Sequence, residues 1–368
     1  MALPHGALNS LPLLVFEHQP APNETTAATG GDDQDIPEML MFSISEGRTC
    51  TEPTPAMLSP QDNQICFATP QGWIFVLHGA APWETWLWHP VTGETIPLPP
   101  IRDDHYVPTN CACHLTHSSA AHPDCAVVLL DVADPDMWFC RINGGGSREW
   151  AQHTYDVGEY TLPEGDGDSD DGDDDCTSTA PTKRVIAGVV AALGGKLHFI
   201  FSESNQYKMG VLHLDFGTPT PAAELHTLED VDAAITLPEG MCGGVTRLLE
   251  SQGELFQVCV CFRGFDPNDI GAVLVLKMDF DHGRRWRRVH DIGDRVFMLA
   301  HGGNAVSCQA SACNLQGNRV YFMKNFLEDD GDLCIYDLVE EVLEILVVHE
   351  RDLTLARTTP YWIVPPTA

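Results

Sequence analysis

The chain has 368 residues, and its 20 Lys and Arg against 53 Asp and Glu give a formal net charge of −33. This surplus repels the phosphates of nucleic acids and of anionic membrane surfaces, so the composition argues against both as partners. Hydrophobic residues make up 43% of the chain, which is enough for a large core, while 31 glycines and 26 prolines favour short strands joined by turns.

The 13 cysteines are interpreted as reduced thiols, most of them buried. No signal peptide is evident, because the apolar stretch 11–16 is too short and Glu17 follows it directly. No run approaches the roughly 20 apolar residues of a membrane helix. We therefore expect a cytoplasmic or nuclear protein.

The chain begins with two predicted strands, "LPLLVFEH" (11–18) and "EMLMFSI" (38–44). They resemble half of a four-stranded unit that lacks its other strands. The C-terminal "PYWIVPP" (360–366) has the apolar pattern needed to complete that unit. We expect the two ends of the chain to pair and close a ring.

A hairpin pattern then recurs along the chain. Its clearest copy is "WLWHPVTGETIPLPP" (86–100), in which Gly93 lies in the turn and alternation places Trp86 and Trp88 on one face with Leu87 opposite. Further copies follow at spacings centred on about 60 residues, within the range typical of propellers and solenoids. The equivalent positions are Trp88, Cys140, Leu214, Met278 and Tyr336.

A glycine followed by an alternating apolar strand precedes most of these hairpins. The copies are "GWIFVL" at Gly72, "GKLHFIF" at Gly195, "GELFQVCV" at Gly253 and "GNRVYFM" at Gly317. Two stretches could be helical in isolation, "RVIAGVVAAL" (184–193) and "DLVEEVLEIL" (337–346). Their places in the repeat favour a strand and a hairpin, respectively.

Together these elements predict an all-β, kelch-like β-propeller that occupies residues 1–368 as a single domain. Six blades of four antiparallel strands fit best, with five or seven as alternatives. Segments 22–37 and 164–180 are polar and acidic, so we expect disordered loops there.

An ordered set of motifs resembles the KIB-type β-propeller family of plants, a family expanded in grasses. The motifs are "LPLLVF", "GWIFVL", "WLWHPVTGETIPLPPI", "DIGDRVFMLAHG" (291–302), "GNRVYFMKN" (317–325), "EDDGDLCIYDL" (328–338) and "PYWIVP". The resemblance implies a substrate-receptor propeller of the F-box type. Only Met1–Ser10 precedes the first motif, so we expect no F-box and no Skp adaptor as a partner. The expectation is a non-enzymatic, monomeric protein that binds an unidentified protein through loops between its blades.

The alternative function is a zinc-binding propeller, or an enzyme, that uses the window Cys111–Cys125. The window contains the zinc-ligand types Cys111, Cys113, His114, His117, His122 and Cys125, but their spacing matches no common zinc motif. Buried cysteines in a blade are the favoured interpretation. No metal ligand, catalytic residue or cofactor is predicted, and the sequence has no G-x-S-x-G elbow or P-loop.

Three further clusters have a structural interpretation that we favour over a functional one. Asp166, Asp168 and Asp170 follow EF-hand spacing, but Asp171 replaces the required glycine and Thr177 the required glutamate. Cys259 and Cys261 face one side of a strand and could join Cys242, Cys308 and Cys313 around a metal. The basic "RRWRR" (284–288) either contacts an acidic partner or guards an edge strand against aggregation.

Overall fold

The computed structural model describes residues 2–18, 38–50, 55–57, 64–79, 82–102, 110–143, 148–161, 181–203, 206–217, 221–264, 266–300, 304–324, 332–346, 348 and 360–366. Both predicted disordered loops, the aspartates with EF-hand spacing (166–170) and Cys176 fall outside these ranges. Among the described residues, helix is confined to α1 (His5–Asn9) and a single 3-10 turn (Ser311–Cys313). Within those ranges no helix has the length and hydropathy to cross a membrane.

The strands are, in chain order, β1 (Leu13–His18), β2 (Glu38–Ser43), β3 (Arg48–Thr49), β4 (Gln64–Ala68), β5 (Ile74–His78), β6 (Trp83–Trp88), β7 (Thr95–Ile101), β8 (Cys111–Leu115), β9 (Ala126–Asp131), β10 (Asp136–Arg141), β11 (Ala151–Thr154), β12 (Glu159–Tyr160), β13 (Thr182–Lys183), β14 (Val190–Leu193), β15 (Lys196–Glu203), β16 (Gln206–Asp215), β17 (Ala222–Asp232), β18 (Met241–Ser251), β19 (Glu254–Arg263), β20 (Ile270–Asp279), β21 (Arg285–Val289), β22 (Arg295–Leu299), β23 (Ala305–Gln309), β24 (Arg319–Met323), β25 (Leu333–Asp337), β26 (Val342–Leu346) and β27 (Tyr361–Ile363).

These strands form the six blades of a β-propeller, which confirms the predicted fold class. Blade 1 has the order β27-β1-β2-β3, blade 2 β4-β5-β6-β7, blade 3 β11-β10-β9-β8, blade 4 β14-β15-β16-β17 and blade 5 β18-β19-β20-β21. Blade 6 has the order β23-β22-β24-β25-β26. The short pair β12–β13 lies between blades 3 and 4 in the sequence.

The predicted closure of the ring is confirmed. Strand β1 pairs antiparallel with β2 on one side and with β27 on the other, so residues from both ends of the chain share blade 1. Leu14 and Trp362 of that blade pack in the same core as Met298 and Tyr321 of blade 6. The first blade thus contacts the last through buried apolar surface.

Each neighbouring pair of blades encloses a hydrophobic core, and the clearest hairpin shows how alternation builds two of them. Trp88 is fully buried with Ile74 against blade 1, and Trp86 packs beside it. Leu87 points the other way into the core shared with blade 3, together with Trp138. The predicted opposition of the tryptophans and Leu87 is therefore confirmed, and the role of the stretch is to join two blades.

The remaining strand predictions are confirmed except in two places, the stretch 184–193 and blade 6. All five equivalent hairpin positions lie on the strand next to the outermost one of their blades, and "DLVEEVLEIL" turns between β25 and β26 as a hairpin. In "RVIAGVVAAL" only Val190–Leu193 is a strand, because residues 187–189 turn before it.

Blade 6 departs from the prediction of four antiparallel strands. Strand β22 inserts between β23 and β24, and it runs parallel to β24. Asn318 stabilises this crossing, because its side-chain oxygen accepts hydrogen bonds from the backbone nitrogens of Ile292 (2.6 Å) and Gly293 (3.0 Å). The repeat in the sequence did not indicate this fifth strand.

Blades 4 and 5 have the longest strands. Strands β16 to β20 have 10 or 11 residues each, whereas the strands of blade 2 have five to seven. At the amino end of the inner strand β18, residues 241–247 are half-buried or exposed. The core between these two blades therefore ends before the strands do, and the projecting strands become the walls of open pockets.

Candidate functional site

A central cavity of about 450 Å³ lies at the carboxyl ends of the inner strands. Residues from all six blades line it, among them Gln71, Ser118, Ala191, Ser251, Ser307 and Pro365. The hydroxyl oxygens of Ser251 and Ser307 lie 2.8 Å apart and hydrogen-bond each other. These two serines therefore satisfy one another across blades 5 and 6, and neither hydrogen-bonds a histidine of the described ranges.

At the opposite face, blades 4 and 5 form a pocket of about 540 Å³, here called the inner pocket. Its floor is apolar and contains Val189, Ile200 and Phe201. Polar and aromatic side chains surround that floor, among them Tyr160, Arg184, Tyr207, Thr246 and Gln257. The pocket thus combines an apolar base with groups that can form hydrogen bonds.

Two tyrosines and an arginine shape the rim of the inner pocket. Tyr160 is 39% exposed and Tyr207 is 54% exposed, so both rings present apolar surface at the rim. The guanidinium carbon of Arg184 lies 5.3 Å from the centre of the Tyr160 ring, and Arg184 Nε donates a 3.2 Å hydrogen bond to the carbonyl oxygen of Glu159. This cation–π contact and hydrogen bond hold the arginine in place, so a ligand can use it at low entropic cost.

Gln257 supplies a polar group beneath that rim. The residue is 1% exposed, and its Nε2 donates a 3.2 Å hydrogen bond to the carbonyl oxygen of Ala233. The other polar atom of the side chain, Oε1, is buried and has no hydrogen-bond partner within the described part of the chain. A buried acceptor without a partner is costly, so a ligand that brings an N–H or O–H donor into the pocket gains a hydrogen bond here.

A second cavity of about 640 Å³, here called the outer pocket, lies next to the first. The connection between blades 4 and 5, residues 233–238, separates the two, and Ile235 and Leu237 line both. Leu274 and Leu276 of β20 complete its apolar floor, while Trp286 and three arginines form one wall. Ile235 and Leu237 thus form an apolar ridge between two adjoining pockets, and the two pockets with this ridge are here called the groove.

The basic cluster 284–288 lies in that wall, on the outermost strand of blade 5. Arg284 lies 3.6 Å from a carboxylate oxygen of Asp230, and Arg287 lies 2.5 Å from one of Asp279. Trp286 packs toward blade 4, whereas Val289 packs toward blade 6. Arg284, Arg285 and Arg288 line the outer pocket together with Trp286.

The zinc-ligand types of the window Cys111–Cys125 do not converge. Cys113 and Cys125 are buried in the core toward blade 2, while His114 lies on the opposite face of β8. His117 and His122 stack on each other outside that core, with ring centres 3.8 Å apart. Burial holds the pKa of His114 at about 4, so it is neutral near pH 7.

The other cysteines are dispersed as well. The sulfurs of Cys259 and Cys261 lie 3.7 Å apart on one face of β19, and those of Cys308 and Cys313 lie 3.3 Å apart between blades 6 and 1. Cys242 is exposed at the start of β18. Across the described ranges no three His, Cys, Asp or Glu side chains come together as a metal site.

The architecture and its groove define a six-bladed β-propeller with an open, two-pocket surface between blades 4 and 5. Residues 41–337 match the model of the KIB1-4 beta-propeller. The chain therefore belongs to the KIB1-4 β-propeller family, which confirms the resemblance inferred from the motifs. No curated protein matches the chain.

Several solved structures are distantly similar. One is a luciferin-regenerating enzyme, with 10% identity over 90% of this chain and 86% of the other and a TM-score of 0.30. Another is the GH32 β-fructofuranosidase BmSUC1 of Bombyx mori, with 10% identity over 93% and 84% and a TM-score of 0.29. A third is the dihydro-heme d1 dehydrogenase NirN, with 11% identity over 91% and 78% and a TM-score of 0.28. Similarity at this level carries no information about activity.

The sequence pointed to the basic cluster but not to the inner pocket. Tyr160, Arg184, Tyr207 and Gln257 come from separate stretches of the chain, and the two repeat stretches that contain Arg184 and Gln257 indicated only strands. The one available signal was the length of the alternating segments around 206–232 and 241–263, which exceeds that of the other blades.

Proposed function

We propose that this propeller is a non-enzymatic protein-interaction module whose two-pocket groove binds an extended segment of a partner protein. The observation that carries the proposal is the inner pocket, where two exposed tyrosines and a stacked arginine surround an apolar floor. Tyrosine and arginine are enriched among the residues that carry most of the binding energy at protein interfaces, and tyrosine supplies contact area at little entropic cost.

The chemistry of the pocket favours an apolar or aromatic anchor that carries a hydrogen-bond donor. Ile200 and Phe201 offer the apolar contact, and Gln257 Oε1 offers the acceptor. Such an anchor also suits a pocket of about 540 Å³, which is large enough for one or two side chains of a peptide. Membership of the KIB family supports the proposal by analogy only, through its resemblance to substrate-receptor propellers.

The proposal is tested by comparing the proteins captured by wild type with those captured by a Tyr160→Ala/Tyr207→Ala variant. Both side chains are exposed, so the double substitution should leave the thermal unfolding midpoint nearly unchanged. Phe280→Ala is the matched control, because Phe280 is a 41% exposed aromatic residue outside both pockets.

A partner that binds wild type and the Phe280 variant but not the tyrosine variant supports the proposal. If purified partner binds the tyrosine variant with unchanged affinity, the inner pocket is not the binding site. Partner binding that depends equally on Phe280 would also exclude a specific role for this pocket.

A further inference from the structure

The arginines of the outer pocket have an unusual electrostatic setting. In a chain of net charge −33, basic side chains are expected to find carboxylates of their own. Arg285 and Arg288 both line the outer pocket, yet neither forms an ion pair with another described residue. Two cations thus remain open to a ligand at one place on an acidic protein.

The acidic residues of the same pocket are already engaged. Asp230 is paired with Arg284, and an Asp232 carboxylate oxygen accepts a 2.9 Å hydrogen bond from the backbone nitrogen of Ala234. Asp232 therefore holds the start of the ridge in place. Neither aspartate is positioned in an ion pair with Arg285 or Arg288, so the pocket keeps an unbalanced positive charge.

The apolar floor strengthens the electrostatic attraction between these arginines and a bound carboxylate. Leu274, Leu276 and the ridge residue Leu237 lie against the arginine wall. An arginine–carboxylate contact beside such a surface is less screened than one in open solvent, and the planar guanidinium binds a carboxylate through two parallel hydrogen bonds. Trp286 Nε1 is buried in the same wall without a hydrogen-bond partner in the described structure, and it is a further donor.

We propose that the outer pocket binds carboxylate side chains of a protein segment, with Arg285 and Arg288 as the charged contacts and Trp286 beside them. This rests on the proposed function and adds the chemistry of the partner: an acidic stretch adjacent to the apolar anchor that enters the inner pocket. The shared ridge of Ile235 and Leu237 allows one extended segment to reach both pockets.

The competing explanation is that the arginines only protect the edge strand β21 from pairing with other sheets. The two explanations predict different effects of reversing the charge of these arginines. Arg285→Glu/Arg288→Glu keeps the edge charged, and therefore guarded, but it repels carboxylates.

The test uses a hexaglutamate peptide as the probe and fluorotryptophan-labelled full-length protein as the sensor. The resonance of Trp286 is assigned by its loss in Trp286→Phe. We expect hexaglutamate to shift this resonance saturably at low ionic strength, and hexalysine at equal concentration to leave it in place. Raising the salt concentration should weaken the shift, since the contact is partly exposed.

The charge-reversed variant should bind hexaglutamate at least about tenfold more weakly. Arg48→Glu/Arg102→Glu is the control with the same change in net charge, because both residues form exposed ion pairs on other parts of the surface. No saturable shift in wild type, or equal binding by both double variants, would overturn the proposal. An equal shift with inorganic phosphate would reduce the pocket to a general anion site and would also overturn it.

The acidic-segment proposal can fail while the proposed function stands, and the two variants distinguish these results. A partner that loses binding to the tyrosine variant but keeps it with Arg285→Glu/Arg288→Glu would leave the interaction module standing and remove only the acidic segment. Loss with both variants supports both conclusions.

Discussion

Trp362 Nε1 donates a 3.1 Å hydrogen bond to the carbonyl oxygen of Leu299, and so links the last strand of the chain to blade 6. Trp362 is 3% exposed and packs with Leu14, Val296 and Tyr321. One side chain therefore contributes both a buried hydrogen bond and apolar contact at the closure of the ring.

We expect Trp362→Ala to lower the free energy of unfolding by about 3–5 kcal/mol, since it removes a large core side chain and leaves a buried carbonyl without its partner. Trp362→Phe keeps most of the apolar contact and should cost less, which separates the hydrogen bond from the packing. Urea titration monitored by circular dichroism measures both. Equal stability of the alanine variant and wild type would show that closure does not depend on this contact.

Two buried histidines predict how stability depends on pH. Burial lowers the pKa of His114 to about 4, and burial together with the charge of Lys196 lowers the pKa of His198 to about 4. Both are neutral in the folded state, whereas the unfolded chain takes up protons below the ordinary value of 6.5. Stability should therefore fall as the pH drops from about 6.5 toward 4, by roughly 1.4 kcal/mol per pH unit for each histidine.

His114→Leu should reduce that slope. It also removes two buried ring nitrogens that have no hydrogen-bond partner in the described structure, so stability at pH 5 should rise relative to wild type. The exposed His226→Gln serves as the control for loss of a histidine. The measurement is the free energy of unfolding between pH 4 and pH 7. If its slope against pH is the same in His114→Leu as in wild type, the lowered pKa of His114 is contradicted.

Gly210 lies opposite Phe199 in blade 4 and accommodates its ring. A β-carbon at Gly210 would overlap the Phe199 ring, and Phe199 is 1% exposed, so the ring has little space in which to move. Gly210→Ala should destabilise the protein by about 1–3 kcal/mol. Gly243→Ala is the matched control, because a β-carbon there meets no atom within 4 Å. Similar melting temperatures for the two variants would refute this prediction.

Cys308 and Cys313 should form a disulfide under mild oxidation. Their sulfurs are 3.3 Å apart, and the hydrogen bond from the Cys308 thiol lowers the pKa of Cys313. Both thiols are buried, so local opening of the site limits the reaction; with oxidised glutathione, the Cys313 thiolate then displaces one glutathione thiolate, and Cys308 displaces the second to close the bridge. Two protein thiols are oxidised and one glutathione disulfide is reduced to two thiols.

Mass spectrometry of the peptide that contains both residues should show the loss of two hydrogen atoms. Cys308→Ser should instead retain glutathione on Cys313, because the second displacement cannot occur. Cys259 and Cys261 are the internal comparison, since alternate residues of a strand are about 6.6 Å apart at Cα, near the upper limit for a disulfide. Preferential oxidation of that pair would contradict the prediction.

The blades follow from the pattern of amino acids alone. Alternating apolar residues place Trp88 and Leu87 on opposite faces of β6, and an extended backbone produces this separation whatever its neighbours are. The pairing of the chain ends was predictable for a similar reason, because the strands 11–18 and 38–44 made only part of a four-stranded unit and the apolar strand 360–366 could complete it.

The position of the groove and the construction of blade 6 depend instead on three-dimensional packing. Alternation specifies which face of a strand is buried, but it does not specify the distance or the angle between neighbouring blades. It therefore could not predict that Tyr160, Tyr207 and Gln257 line one pocket. The parallel pairing of β22 with β24 depends in the same way on a crossing held by Asn318, a contact between loops that no periodic pattern encodes.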